Sequence, residues 1–405
     1  MATIPLKFSK LRPVHPFPAR MASSIVWRRL RRVTKSSRVL DPMAGSGTTV
    51  VVSRLLGHRA LAFDTDPLAL LITEAWSTDV DRAAIVKMAP RILARAIKKS
   101  RTIPLREAYP GGADEETRAF VRYWFDRTNR RQLTALASEI SRIRNKDRRT
   151  FFWCAFSRLI ITKSIGASLA MDVSHSRPHK VYDVAPLRPF DKFLQSVDAV
   201  LRGAPFVDDK KQPRAVVCKG DARRLPIRTG TVDYVITSPP YLNAIDYLRG
   251  HKFSLVWMGH RVGKIRKLRS TNVGAELSGR AHQQEFVAQA VGEMGSVQLL
   301  EPRVKGMLAR YVVDMNKVLA EISRVLKKGG EAVLVVGDST IRDIFVQNSR
   351  CLVFLGVRNG LSLHSTSRRS LPDNRRYLPP PGRKGSGRQL RARMRKEVVL
   401  VFSKP

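Results

Sequence analysis

The chain has 405 residues, 43% of them hydrophobic, so it has room for roughly two to three domains and can bury a core. Its 74 Lys and Arg residues outnumber its 33 Asp and Glu residues by 41, which predicts a polyanionic partner, most simply a nucleic acid. There is no apolar run of about 18 residues, so we expect no membrane span and no membrane partner. The three cysteines stand far apart, which excludes a disulfide framework and a cysteine metal site.

The first recognisable elements form a strand, a glycine-rich turn, a helix and a second strand over residues 37–64. A strand beginning near Arg38 leads into the turn Asp41-Pro-Met-Ala-Gly-Ser-Gly, and the second strand ends at Asp64. Asp66-Pro67 then predicts the start of another helix, since Asp is a good N-cap and Pro suits the first turn. This order is a βαβ unit.

Helical periodicity with Arg-rich faces follows, and strand patterns return only after about residue 211. We therefore divide the chain into 1–80, a mostly helical insertion at 81–210, and 211–405, with a loop-rich basic excursion at 260–303. The alternation predicts one doubly wound α/β sheet interrupted by the insertion. The later strands are predicted at 215–218, 232–236, 332–336 and 397–402, with a helix over 304–326.

Three features suit a nucleoside ligand at the edge of this sheet. Glycines between a strand and a helix let the backbone approach a ligand closely, although Val50 replaces the last glycine of a full Gly-x-Gly-x-x-Gly pattern. Asp64, at the end of the next strand, can accept hydrogen bonds from ribose hydroxyls. The loop Gly220-Asp-Ala222 could accept from an adenine amine. Taken singly, each is also compatible with an ordinary turn or an exposed loop acid.

Thr237-Ser-Pro-Pro-Tyr241 is the most specific motif. Two consecutive prolines end the preceding strand and fix an extended backbone. This turn would hold the Ser238 hydroxyl and nearby carbonyls in place, with Tyr241 beside them as a flat platform. Such an arrangement suits an exocyclic amine on an aromatic ring, and a purely structural turn is the alternative.

The two motifs together resemble the S-adenosylmethionine-dependent DNA amino-methyltransferases, which act on cytosine N4 or adenine N6. The segment His15-Pro-Phe-Pro-Ala-Arg-Met21 looks like the part of that family that closes over the methionine end of the cofactor. The resemblance covers residues 10–75, 211–260 and 305–345, and implies a class I methyltransferase-like, Rossmann-like fold. It implies S-adenosylmethionine as cofactor, bound by Phe17, Ala19, Asp41, Met43, Ala44, Gly45, Gly47, Asp64, Asp221, Ala222 and Thr237, with Ser238, Pro239, Pro240 and Tyr241 as the catalytic group.

The serine of Ser-Pro-Pro-Tyr favours cytosine N4 over adenine N6, and double-stranded DNA is the expected partner, with no metal. A tRNA or rRNA amino-methyltransferase and a catalytically inactive nucleic-acid-binding protein remain as alternatives. The insertion falls at an unusual place for the family, so either 81–210 or 260–303 could recognise the target. Together with the cysteine content, the resemblance predicts a prokaryotic cytoplasmic, nucleoid-associated enzyme of the restriction-modification type.

Overall fold

The computed structural model describes residues 11–18, 20–163, 165–175, 178–206, 213–242, 246–273, 285–342, 344–371 and 396–405. Within these ranges the strands, numbered in chain order, are β1 (Arg38–Asp41), β2 (Arg59–Asp64), β3 (Ala170–Met171), β4 (His179–Lys180), β5 (Val216–Lys219), β6 (Val232–Thr237), β7 (Leu326–Val336), β8 (Ser339–Ile341), β9 (Ile344–Val346), β10 (Ser362–Ser370) and β11 (Lys396–Ser403).

The α-helices of the described ranges are numbered in the same way. They are α1 (Ser23–Leu30), α2 (Thr48–Leu55), α3 (Pro67–Ser77), α4 (Arg82–Thr102), α5 (Glu115–Trp124), α6 (Arg127–Ser141), α7 (Lys146–Ile160), α8 (Pro189–Gly203), α9 (Tyr247–Leu255), α10 (Val262–Ser270), α11 (Glu285–Gly292), α12 (Pro302–Val325) and α13 (Asn348–Arg358). None of them has both the length and the apolar character needed to cross a bilayer.

Seven strands form the central sheet in the order β5-β2-β1-β6-β7-β11-β10. Strands β5, β2, β1, β6 and β7 run parallel, and β11 lies antiparallel between β7 and β10. Parallel neighbours joined through helices require crossover connections, which place helices on the faces of the sheet. The predicted doubly wound, class I methyltransferase-like sheet is confirmed.

Alternation along β7 builds a separate core on each face of the sheet. Val333 and Val335 point into one hydrophobic cluster, whereas Leu334 and Val336 point into the other. Helices α12 and α13 cover the second face, and α1, α2 and α3 cover the first. Because successive side chains of a strand point to opposite faces, one apolar run supplies both cores.

The helices of the insertion share the first of these cores with the sheet. Phe125, Phe151, Phe152 and Trp153 are buried there, and Trp124 packs against the same cluster, so these aromatic residues form core. The insertion is therefore continuous with the sheet's own core.

The loop-rich excursion predicted over 260–303 is wrong for two parts of that stretch, which form α10 and α11. Ile265 of α10 is buried in the first core, and Val287 and Ala290 of α11 are buried in the second. Few apolar residues stand among many basic ones in α10, and scattered glycines flank α11, so the helical pattern is hard to see in the sequence.

Candidate active site

The carboxyl ends of β1, β2 and β6 meet at one edge of the sheet. Asp41 at the end of β1 is aligned with Ala62 of β2, and Leu40 is aligned with Val235 of β6. The Thr49 hydroxyl, at the start of α2, donates to the Ile236 carbonyl of β6 at 3.0 Å. The glycine turn after β1 and the Ser-Pro-Pro-Tyr turn after β6 thus lie on adjacent strands.

The glycine turn is held by its neighbours on both sides. The Ala44 amide donates to the Phe63 carbonyl of β2 at 2.9 Å. Gly45 and Gly47 have φ of +51° and +82°, in the left-handed region that favours glycine. A β-carbon at Gly47 would also lie 2.9 Å from Cα and Oγ1 of Thr73 in α3. Gly47 is therefore required both by its backbone angle and by the close approach of α3.

Asp64 is fixed by two backbone amides. Its Oδ2 accepts from the Gly45 amide and its Oδ1 from the Asp66 amide, each at 2.9 Å. Burial, with the negative charge of Asp66 adding to it, raises the pKa of Asp64 to about 7. Burial likewise raises the pKa of Asp41 to about 6, against the lowering effect of the Thr237 and Thr49 hydroxyls and the Met43 amide.

The free acceptor positions of the Asp64 carboxylate fit a pair of donating hydroxyl groups. A carboxylate offers about four lone-pair sites, and the two amides fill one on each oxygen. Among the residues that the structure describes, no cation forms an ion pair with Asp41 or Asp64, although the chain carries an excess of 41 positive charges. Neutral O–H donors can therefore satisfy the remaining lone pairs without displacing a counter-ion. The same described residues contain no cluster of His, Cys, Asp and Glu suited to a metal ion.

Behind this turn lie further side chains that are far apart in the sequence. The Asp66 carboxylate accepts from the Leu68 amide at the start of α3, and its other oxygen lies 2.5 Å from Nδ1 of the buried His251 in α9. The Phe17 ring stacks on Tyr247, with centroids 5.1 Å apart, and lies 5.3 Å from the His251 ring. Only the N-cap pattern at Asp66 was visible in the sequence; His251 stood alone there.

The Ser-Pro-Pro-Tyr turn combines buried and accessible residues. Thr237 and Pro239 are buried, whereas Ser238, Pro240 and Tyr241 are half-buried. The Tyr241 hydroxyl donates to Oε1 of Glu397 at 3.2 Å, and Oε2 of Glu397 pairs with Arg369 at 2.7 Å. Glu397 is 5% exposed, so its buried charge needs partners of this kind. The antiparallel pair of β10 and β11 thus anchors the tyrosine, a contact that the sequence around Tyr241 does not predict.

The Gly220-Asp-Ala222 loop follows β5 at the same edge, but its acid is already engaged. Asp221 forms an ion pair with Arg223 at 2.6 Å, and Arg223 reaches Asp314 at 2.8 Å. Burial alone would raise the pKa of Asp221, but the hydrogen bonds from Arg223 outweigh it and lower the pKa. A ligand amine at this carboxylate would have to compete with a guanidinium. Ala222 is buried in the second core.

Most of the residues implied by the resemblance gather at this edge, including Met43, Ala44 and Gly45. Phe17 also reaches it: a β-carbon at Gly45 would lie 3.6 Å from Cε1 of Phe17. Ala19 lies outside the described residues.

Comparison with known proteins gives relatives of one kind. No family model matches the chain. It is 26% identical over 326 residues to the type II methyltransferase M.BsoBI of Geobacillus stearothermophilus, covering 74% of this chain and 61% of that protein. It is 23% identical over 345 residues to M.MvaI of Kocuria varians, another type II methyltransferase, covering 76% and 72%. The chain thus spans about three fifths of the length of M.BsoBI.

Among solved structures, the chain is similar to a SAM-dependent methyltransferase from Methanosarcina mazei, at 9% identity and a TM-score of 0.33 over 93% of this chain and 96% of that one. It is also similar to geranyl diphosphate C-methyltransferase from Streptomyces coelicolor A3(2), at 11% identity and a TM-score of 0.32 over 95% and 80%. The fold assignment itself rests on strand order and direction. The curated relatives confirm the resemblance drawn from the two motifs: this chain is similar to type II methyltransferases.

Proposed function

We propose that the protein transfers a methyl group from S-adenosylmethionine to the exocyclic amine of a DNA base, with cytosine N4 as the target. The observation that carries this proposal is the adjacency of the two turns. The glycine turn and Asp64 lie at the end of β1 and β2, and Ser238 lies at the end of the neighbouring β6. A cofactor bound at the first turn and an amine bound at the second would be neighbours.

On this proposal, Asp64 would hold the ribose hydroxyls, and the Gly45–Gly47 turn with Phe17 would hold the methionine end. The sulfonium of the bound cofactor supplies an electrophilic methyl group. The half-buried carboxylate of Asp64 can accept from these hydroxyls without breaking an ion pair. It therefore suits a nucleoside. In the loop 220–222, the Gly220 backbone would lie close to the nucleoside. Asp221 would remain paired with Arg223.

The Ser-Pro-Pro-Tyr turn must make the target amine more nucleophilic. An exocyclic amine is a weak nucleophile because its lone pair is conjugated into the base. Accepting both N–H bonds at the Ser238 hydroxyl and the adjoining carbonyls favours a tetrahedral nitrogen with a free lone pair. A nitrogen held in this way could attack the methyl group that the sulfonium would supply, releasing the cofactor as its thioether, and would then give up one proton to solvent. Catalysis of this kind comes mainly from positioning and desolvation.

A duplex base must leave the stack to reach such a site, and the Tyr241 ring would then stack on it. The excess of 41 positive charges supports a nucleic-acid partner, since phosphate contacts supply most non-specific affinity. The type II methyltransferases among the relatives favour DNA over RNA. We accordingly place the enzyme in the prokaryotic cytoplasm, at the nucleoid.

Serine at position 238 favours cytosine N4 over adenine N6 as the acceptor. Three outcomes would replace this proposal: methylation of adenine N6, methylation of a structured RNA, or nucleic-acid binding without catalysis. Each of them gives a different product, so one experiment separates them.

The test is methyl transfer from labelled S-adenosylmethionine to duplex DNA and, separately, to total RNA, followed by digestion to nucleosides and identification by mass. We expect label in N4-methylcytosine from DNA. Label in N6-methyladenine would change the base, and label in RNA alone would change the partner. Cofactor binding without label in any substrate would contradict the proposed activity.

A further inference from the structure

The segment formed by residues 13–17 is largely buried although it precedes the first helix of the described chain: Val14, His15 and Phe17 are buried and the two prolines are half-buried. Val14 is 0% exposed and His15 is 1% exposed, and Phe17 reaches the glycine turn. A chain segment outside regular secondary structure is normally at the surface, because its backbone groups need partners. The partners of this segment come largely from the helical insertion.

Helix α7 of the insertion supplies the polar contacts. The Ser157 hydroxyl lies 3.0 Å from Nε2 of His15. The Arg158 guanidinium donates to the Val14 carbonyl at 2.9 Å, and the Cys154 thiol lies 3.9 Å from the same oxygen. The Val14 carbonyl and the His15 ring of the segment therefore take polar partners from consecutive turns of one insertion helix.

Helix α8 closes the segment from another side. A β-carbon at Gly203, the last residue of α8, would lie 3.0 Å from the Pro13 carbonyl oxygen, so any larger residue there would push the segment by a few tenths of an ångström. The Gly203 carbonyl accepts from the Trp76 indole of α3 at 3.0 Å. Since α3 also packs against the glycine turn, α8 connects the segment to the same framework that holds Gly47.

On its far side the segment meets the proposed cofactor site. The Phe17 ring lies against Gly45, and it stacks on Tyr247 of α9 at a centroid distance of 5.1 Å and an interplanar angle of 24°. The segment thus forms a bridge of five residues between insertion helices and the glycine turn.

We infer that the helical insertion positions residues 13–17 over the glycine turn, and that Ser157 and Arg158 are positioning residues for cofactor binding. This inference rests on the proposed function, since the cofactor is the ligand whose affinity would change. It gives the insertion a role in building the cofactor site, distinct from the target recognition considered from the sequence.

The experiment measures binding of S-adenosylhomocysteine by calorimetry to the wild type, Ser157→Ala, Arg158→Met and the control Ser196→Ala. Ser196 is a buried insertion serine that donates to the Ala155 carbonyl at 2.6 Å and has no part in the 13–17 segment. We expect Kd to rise about three- to tenfold for Ser157→Ala and Arg158→Met, as for loss of one buried hydrogen bond, and to stay unchanged for Ser196→Ala. Binding stoichiometry should stay the same in all four proteins.

Two further readouts separate positioning from loss of folded protein. Combining His15→Phe with Ser157→Ala should cost no more affinity than either change alone, because the two side chains act as one contact. In the ligand-free protein, hydrogen exchange of the Val14, His15 and Phe17 amides should accelerate in Ser157→Ala and not in Ser196→Ala.

The outcomes distinguish this inference from the proposed function. If the wild type binds S-adenosylhomocysteine and the two variants bind it equally well, the inference is overturned while the proposed function stands. If the wild type does not bind S-adenosylhomocysteine, the proposed function fails. Faster exchange of the Val14, His15 and Phe17 amides in Ser157→Ala would still show that α7 holds the 13–17 segment in place.

Discussion

The two sides of the candidate site are built in different ways. On the β1–β2 side, the carboxylate of Asp64 is held by residues close in the sequence: it accepts from the Gly45 amide 19 positions earlier and from the Asp66 amide two positions later. On the β6 side, Tyr241 is anchored by Glu397, 156 positions away. The Asp64 contacts form within one βαβ unit, whereas the Tyr241 anchor is complete only after the last strand has joined the sheet.

This difference teaches where each side is vulnerable. Changes on the β1–β2 side should act on cofactor affinity and leave the amine side intact. Changes on the β6 side should act on methyl transfer and leave cofactor affinity intact. The variants below test whether the two sides separate in this way.

The largest effect is expected for Asp64→Ala. The change removes a carboxylate that would accept from two ribose hydroxyls, and hydrogen bonds to a charged group contribute about 1.5–3 kcal/mol each. We therefore expect the Kd for S-adenosylhomocysteine to rise at least about 100-fold by calorimetry. Asp198→Asn, on the exposed face of α8, is the control and should bind as the wild type does. An unchanged Kd for Asp64→Ala would remove Asp64 from the site.

Tyr241→Ala should affect the opposite side. Loss of a stacking ring costs about 1–3 kcal/mol per base, so transfer to DNA should fall about ten- to 100-fold. The Kd for S-adenosylhomocysteine should remain within about twofold of the wild-type value, since the ring lies on the β6 side. Equal losses of transfer and of cofactor affinity would make Tyr241 a structural residue.

The pH dependence of cofactor binding is the third test. The pKa of Asp64 is raised to about 7 in the ligand-free protein, and hydroxyl donors prefer the ionised carboxylate. Binding below pH 7 must therefore first remove a proton, so affinity should fall about tenfold per pH unit on the acid side and level off above pH 7. Asp64→Asn should weaken binding and flatten this profile, measured by calorimetry from pH 5.5 to pH 8.5. A parallel slope in the variant would assign the titration to another group.

The smallest effect is expected at the Tyr241 anchor. Tyr241→Phe keeps the ring and loses the bond to Glu397, and Glu397→Gln keeps an acceptor but loses the charge that pairs with Arg369. Each should lower kcat about threefold with an unchanged Kd for S-adenosylhomocysteine, as for one modest hydrogen bond. The double variant should resemble the more affected single one. Additive losses would show that the hydroxyl and the carboxylate act separately.

Much of the site was predictable because its residues belong to short, local sequence motifs. The Asp41 turn, Asp64 and the Ser-Pro-Pro-Tyr motif each combine a strand end with residues that restrict the backbone, and parallel strands place such ends at one edge. Short apolar runs also predicted the buried strands, including β7 and β11.

What the sequence did not predict depends on tertiary contact. Strand β10 is polar and exposed along nearly all of its nine residues, so it carries no apolar pattern and forms by pairing with β11. Glu397 and His251 look like an ordinary charged residue and a lone histidine until the fold brings them to Tyr241 and Asp66. The pairing of Asp221 with Arg223 was equally invisible, although the two stand two positions apart.

The most direct test of the account is methylation of a whole genome, because it needs no knowledge of the recognition sequence. The wild type, Asp64→Ala and Tyr241→Ala would be expressed in a bacterial host that lacks its own DNA methyltransferases, and the digested genomic DNA analysed by nucleoside mass. We predict N4-methylcytosine with the wild type and a large loss with each variant. Wild-type levels of methylated base in both variants, or none from the wild type with its cofactor bound, would contradict a single site built from the two turns.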